Sequence, residues 1–408
     1  MTKLKVQKSR LVGQVEVSGA KNSALKLLTA SVLTAEPIEL YNSPNGLLDM
    51  QVHIGMLNKM GKVCTEKGSF LKIEEEKSLI NELVWDDRSI RNSLLILGSL
   101  TARFGEGRVP LPGGCKLGDR KFDLHVMILE KMGTKVWEEE GYLCTKSKGK
   151  LKGSEIHLPL RSTGATENAI LCGTLAYGKT TVWNPHIRPE ILDLIEMLRK
   201  MGAKIKVFGQ KCIEIEGVEE LHGVKHTVVP DNMEAITWAI ASVITNGDLE
   251  IINFPFNHLE VPLVFLRESG MNFYRGNNSL IVRGGTPYPI EISTGPYPGI
   301  NSDMQPLFAV YGACSQGESK IVDLRFPGRY GYAEELAKMG MKYSIDGDLL
   351  KIHGGRSLHG ATVKALDLRA GMAMLLAGLT ADGETTIEDS WQIERGYENL
   401  DLKLKQLK

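Results

Sequence analysis

The sequence predicts an α/β protein of two similar domains, each built from three βαβαββ units wrapped around buried helices as an inside-out α/β barrel. Three observations predict it. The phrases LNKMGKV, LEKMGTKV, LRKMGAKI, LRESGMNF and LAKMGMKY carry Gly61, Gly133, Gly202, Gly270 and Gly340, which stand 68 to 72 residues apart. A period near 70 exceeds that of a solenoid repeat, so each copy is a sizeable supersecondary unit, and the 408 residues hold six. Ahead of each glycine, by some twenty residues or more, a turn runs into a short strand: AEPIELYN from Ala35, GEGRVPL from Gly105, GKTTVWN from Gly178, GDLEIIN from Gly247, GESKIVD from Gly317 and GETTIED from Gly383. Ahead of that turn lies a helix apolar nearly all round, which marks it as buried.

Along the chain, the strand before Ser18 is expected to return to the second domain. The buried helices fall at 90–101, 165–177, 233–245 and 368–381, with equivalents in the other copies. The later helix of each unit is amphipathic. The stretch 189–201 opens on Pro189, lines up Ile191, Leu194, Ile195, Leu198 and Met201 on one face, and stops at Gly202. Paired strands such as KVCTEKGSFLKI close a unit. Leu221 to Val229 is the expected crossover, giving a first domain of residues 20–228 and a second of 1–19 plus 229–408. The sixth copy stops at Leu404 to Lys408, before its glycine.

Composition narrows the partners. Hydrophobic residues make up 42% and charged residues 24%, the proportions of an ordinary globular protein. Lys plus Arg and Asp plus Glu each total 49, so no global field recruits nucleic acid or a membrane, and any anion must be bound locally. The six cysteines are scattered without CxxC pairs, which argues against a zinc site or a disulfide framework. The N-terminal MTKLKVQKSRLVGQVEV has no apolar signal core and no apolar run approaches a membrane span, so the cytoplasm is the expected compartment.

One loop stands out. In PLPGGCKLGDRKFDLH, Pro112, Gly113 and Gly114 are turn residues, and a helix carrying Leu124, Ile128, Leu129 and Met132 follows. Cys115 therefore sits on a loop beside Lys116 and Arg120 at a helix entry, where thiolate character rises; the alternative is an inert loop cysteine. Equivalent loops of repeated units fall at one pole of a domain. The openings of the buried helices, SGAKN (18–22), RSIRN (88–92), RSTGATEN (161–168), PDNME (230–234), NSDMQ (301–305) and LDLRA (366–370), should gather there. So should the loops at 115–120, 185–189, 325–329 and 392–395, which add arginines. Lys21, Arg91, Arg120, Arg329, Arg369 and Arg395 together suit a small, multiply charged substrate. The competing reading makes Ser18, Asp231 and Asp303 plain helix caps and the arginines solvated.

These residues resemble the enolpyruvyl transferases. SGAKN at Ser18, LPGGC ending at Cys115 with Arg120 beyond it, SDM around Asp303, DLRA from Asp367 and ERGYE from Glu394 place the chain nearer the branch that uses UDP-N-acetylglucosamine than the shikimate 3-phosphate branch. The resemblance implies a site in the interdomain cleft, with phosphoenolpyruvate added to an acceptor hydroxyl and phosphate expelled from a tetrahedral ketal. It implies that Lys21, Arg120 and Arg395 hold the phosphate, that Arg329 and Arg369 hold the carboxylate, and that Arg91 lies beside them. Cys115 would protonate the methylene carbon, and Asp303 would take or orient the acceptor's hydroxyl proton, with Lys21 counted in the catalytic set. Asn22, Arg120, Asp123, Leu124, Ser162, Thr163, Gly164, Asp303 and Arg325 would meet the acceptor. No metal or organic cofactor is implied, and the partners are phosphoenolpyruvate and a uridine nucleotide. Fosfomycin would alkylate Cys115. The chain departs from the branch at Lys121, Phe122, Leu160, Ile187, Asn232 and Gly328. These departures touch the acceptor and not the donor, so another uridine nucleotide such as UMP is the second reading, and a non-catalytic nucleotide-binding relative the third.

Overall fold

The computed structural model describes residues 2–88, 90–111 and 122–407. The chain forms two compact units. One is continuous, Gly19–Val229; the other is split, Met1–Ser18 with Pro230–Lys408. Strands β1 (Lys3–Gln7) and β2 (Val12–Glu16) come first. The continuous unit then runs α1 (Lys21–Ala30), β3 (Ile38–Tyr41), α2 (Leu48–Met60), β4 (Lys62–Lys67), β5 (Phe70–Glu75), α3 (Ser93–Phe104), β6 (Glu106–Pro110), α4 (Asp123–Lys131), β7 (Thr134–Glu139) and β8 (Tyr142–Ser147). It continues with β9 (Glu155–His157), α5 (Thr163–Thr174), β10 (Lys179–Trp183), α6 (Pro189–Lys200), β11 (Lys204–Phe208), β12 (Cys212–Glu216) and β13 (Val224–Thr227).

The split unit repeats the series with α7 (Asn232–Ile244), β14 (Asp248–Ile252), α8 (Glu260–Glu268), β15 (Asn272–Arg275), β16 (Ser279–Arg283), β17 (Glu291–Ser293), α9 (Gln305–Cys314), β18 (Glu318–Val322), α10 (Gly331–Lys338), β19 (Lys342–Asp346) and β20 (Leu349–His353). It ends with β21 (Thr362–Lys364), α11 (Leu368–Thr380), β22 (Glu384–Glu388), α12 (Trp391–Glu394) and α13 (Leu400–Gln406). All five glycines that set the period are left-handed, with φ from 90° to 111°, where a side chain would clash with the backbone. The recurrence in sequence is thus a recurrence of helix stops.

Each sheet repeats one pattern, seen in the orders β9-β10-β12-β11 and β17-β18-β20-β19. The leading strand pairs parallel with the middle strand, and the hairpin that follows is antiparallel. Two leading strands are exchanged between copies. β13, which precedes α7 in the chain, pairs with β3. β2, which precedes α1, pairs with β14. The stretch 221–229, the expected crossover, contains the strand β13. Among the described residues no hairpin follows β22, and β1 pairs antiparallel with it instead. In the second copy the leading strand shrinks to a single bridge, Glu82 with Arg108.

Helices α1, α3 and α5 lie inside the continuous unit and α7, α9 and α11 inside the split unit. Every α7 residue from Asn232 to Val243 is buried. Burying a helix on all sides brings helix backbones close. A Cβ on Gly98 of α3 would stand 2.0 Å from Asn168 Oδ1 of α5, so a larger residue there would push the buried Asn168 side chain out of place. Among the described residues no helix is long and apolar enough to cross a membrane.

Candidate active site

In the split unit the expected residues sit at one end of the buried helices. Asp303 lies in a 3-10 turn ahead of α9, Arg329 in the loop after β18, Arg369 in the first turn of α11 and Arg395 at the end of α12. Arg329 Nη1 donates to Asp303 Oδ1 at 2.9 Å and its Nη2 to Asp367 Oδ2 at 3.4 Å. Arg369 Nε stands 3.5 Å from the other Asp303 oxygen. One carboxylate is therefore gripped by two guanidinium groups. Burial opposes the Arg329 charge, but Asp303 and Asp367 more than offset it and hold the group above its ordinary value. For Arg369 burial again opposes, and Tyr397, Asp303 and Asp231 raise it. Tyr397 accepts from Arg369 Nη1 at 3.4 Å. Gly396 keeps the Arg395 loop close, since a Cβ there would lie 2.5 Å from Leu368 and 3.7 Å from Arg369 Nη1. Arg395 itself donates to Gln392 Oε1 at 3.0 Å.

The plain-cap reading holds for only one of its three residues. Asp231 caps α7 through the backbone N–H groups of Met233 and Glu234, and burial pushes its carboxyl up while Arg369 opposes. Ser18 caps nothing; its hydroxyl accepts from Lys403 at 2.7 Å. Asn301, not Asp303, caps the 3-10 turn. Arg325 is exposed, 5.4 Å above the Phe326 ring, which Arg329 also approaches at 5.7 Å.

In the continuous unit Lys21 and Asn22 form the first turn of α1, Arg91 precedes α3, Asp123 and Leu124 open α4, and Thr163 and Gly164 open α5. Ser162 caps α5 by accepting from Ala165 N–H. A Cβ on Gly164 would stand 3.2 Å from His125 Nε2, so the α4 and α5 openings meet. Thr163 Oγ1 lies 2.9 Å from His186 Nδ1. Lys21 is buried against Asp49 at 2.5 Å. Behind this end, Lys26 donates to Asn92 Oδ1 at 2.8 Å and lies 3.7 Å from Glu167. Burial pushes Glu167 up to about 7, with Lys26 opposing. Cys115, Arg120 and Lys121 fall outside the described residues.

Several polar partners carried no local signal in the sequence. Asp323 is fully buried and accepts from Thr294 Oγ1, Ser302 Oγ, Gln305 Nε2 and the N–H groups of Arg325 and Phe326. It thereby ties the Arg329 loop to the turn that bears Asp303. Asp49 does the same for Lys21. Among the described residues no group of His, Cys, Asp and Glu is placed to hold a metal ion.

Comparison with known proteins agrees with this layout. Residues 6–404 match the family of EPSP synthase (3-phosphoshikimate 1-carboxyvinyltransferase). Over 397 residues the chain is 43% identical to UDP-N-acetylglucosamine 1-carboxyvinyltransferase 1 of Carboxydothermus hydrogenoformans, spanning 96% of this chain and 93% of that one. It is 40% identical over 407 residues to UDP-N-acetylglucosamine 1-carboxyvinyltransferase of Actinobacillus succinogenes, spanning 98% and 96%. The crystal structure of the enolpyruvyl transferase NikO from Streptomyces tendae superposes with a TM-score of 0.87 at 25% identity, spanning 99% of this chain and 96% of that one. The repeat architecture, the clustered basic groups and these likenesses together show that the chain belongs to the EPSP synthase family of enolpyruvyl (1-carboxyvinyl) transferases.

Proposed function

We propose that the protein transfers the enolpyruvyl group of phosphoenolpyruvate to a hydroxyl of UDP-N-acetylglucosamine with release of phosphate, a cytoplasmic step toward peptidoglycan precursors. The observation that carries this reading is 37–43% identity, over 96–100% of the chain, to proteins bearing that activity in their names. In the addition step the acceptor O–H proton goes to Asp303, the acceptor oxygen bonds to the central carbon, and Cys115 protonates the methylene carbon. The elimination returns both protons: one leaves the new methyl group for the thiolate, the C–O bond to phosphate breaks, and phosphate takes the other. Arg329 and Arg369 hold the substrate carboxylate, while Lys21, Arg120 and Arg395, with Arg91 beside them, neutralise the phosphate. Asn22, Asp123, Leu124, Ser162, Thr163, Gly164 and Arg325 meet the acceptor.

A second reading keeps the chemistry and changes the acceptor to another uridine nucleotide. It is favoured by Leu160, 44% exposed, and Ile187, buried, where the resemblance implies a lysine and an arginine. Phosphate release from phosphoenolpyruvate with a panel of UDP-N-acetylglucosamine, UDP-glucose, UDP and UMP decides. Turnover with the amino-sugar nucleotide alone supports the first reading; turnover with UMP alone replaces it; none with any acceptor removes both. Fosfomycin is expected to add its own mass to the peptide bearing Cys115, at least tenfold faster with saturating acceptor. An unmodified Cys115 under those conditions removes its role as proton donor.

A further inference from the structure

Asp193, on α6, is 2% exposed and has no part in the scheme above. It accepts from three groups: the Ser23 hydroxyl of α1, His226 Nε2 of β13 at 2.7 Å, and the N–H of Val229, two residues past β13, at 3.4 Å. The Lys200 ammonium faces His226 Nδ1 at 3.4 Å. An ammonium only donates, so Nδ1 is the acceptor and the ring hydrogen sits on Nε2, directed at Asp193.

The need for such a post is visible in α1. Its N-cap is Ala20, which offers no side-chain acceptor, its first turn holds no acidic residue, and its first residue is the cation Lys21. All three weaken a helix start, because the exposed N–H groups and the positive end of the helix dipole favour an acceptor or an anion. The turn is held instead by Ala20 N–H donating to Val229 O at 2.7 Å and by Ser23 donating to Asp193. Val229 is itself bonded to Asp193, so one buried carboxylate fixes the helix start and the strand end it rests on.

We infer that Asp193 is a positioning residue for enolpyruvyl transfer, setting the reach of Lys21 and Asn22 through the first turn of α1. The inference rests on the function proposed above. Asp193→Asn keeps the shape but removes the charge and turns one acceptor into a donor. It is expected to lower kcat at least tenfold while the KM for the acceptor changes less than threefold, and to speed amide hydrogen exchange in residues 19–30. Ser23→Ala, which removes one donor and risks little folding, should speed exchange in the same segment and lower kcat a few-fold. His226→Gln, whose amide can replace Nε2–H, should retain kcat within threefold where His226→Ala does not; a role confined to stability would lower the melting temperature in both and leave kcat alone. Wild-type kcat and exchange in both Asp193→Asn and Ser23→Ala overturn the inference. Exchange is read without substrate, so a wild-type protein that fails to turn over would sink the proposed reaction separately.

Discussion

Lysine in place of Arg329 is expected to lower kcat/KM for phosphoenolpyruvate by about 10²–10³-fold, on the order of 3–4 kcal/mol of transition-state stabilisation. The arginine touches Asp303 and Asp367 through different Nη atoms, a span that a single ammonium cannot reproduce. Its loss separates Asp303 from one of the guanidinium groups that grip it and, on the function proposed above, leaves Arg369 to hold the substrate carboxylate. The melting temperature should move by only a few degrees, because Asp323, Gln305 and Tyr330 hold the loop independently: Gln305 donates to the Arg329 carbonyl at 3.2 Å and Asp323 N–H to the Tyr330 hydroxyl at 2.9 Å. Phosphate release and a thermal melt check both halves. A variant within threefold of wild type would show that the carboxylate is held elsewhere.

Acid should destabilise the continuous unit through two buried histidines. Burial drives His53 down to about 3, with Lys26 adding to the effect, and His125 down to about 3, with Arg91 and Lys26 adding. A folded value below the unfolded 6.5 means that the unfolded chain binds the proton first, so stability falls as pH drops below 6.5. Glu167 acts in the opposite sense: its folded value of about 7 lies above 4.5, so between those values the folded state holds the extra proton. Two histidines against one carboxyl leave a slope of about 1.4 kcal/mol per pH unit from pH 6.5 to 4.5, and about twice that from 4.5 to 3, where the carboxyl no longer offsets them. His53→Asn retains an acceptor for Asn92, which lies 3.2 Å from His53 Nδ1, and should remove one proton's share of the slope. Urea midpoints measured from pH 7 to 4 for both proteins give the comparison. Parallel lines would mean that His53 is not the group being charged.

The architecture was legible because the copies repeat what short-range physics requires. Gly61, Gly133, Gly202, Gly270 and Gly340 mark helix stops that only a left-handed residue completes, and the run Met233 to Val243, buried on every side, is apolar except at Glu234, Thr237 and Ser242, each of which has a hydrogen-bond partner. Arg329, Arg369 and Asp303 were legible as a group because equivalent loops share a pole. Their supports were not. Asp49 and Asp193 stand on helices that carry several other polar residues, so the pattern does not single them out, and Asp193 meets partners 170 residues away at Ser23 and 33 residues away at His226. Nothing local announces such a pairing. The exchanged strands escaped in part for the same reason: alternation identifies a strand but not the sheet it joins.

That exchange has a consequence for synthesis on the ribosome. The segment Gly19–Val229 has all its sheet partners once Val229 has emerged, so it can complete its folding while the rest is still being made. The first seventeen residues cannot. β2 must wait for β14 and β1 for β22 some 380 residues later, so the growing chain carries β2 unmatched until residue 252 is made and β1 unmatched until residue 388 is.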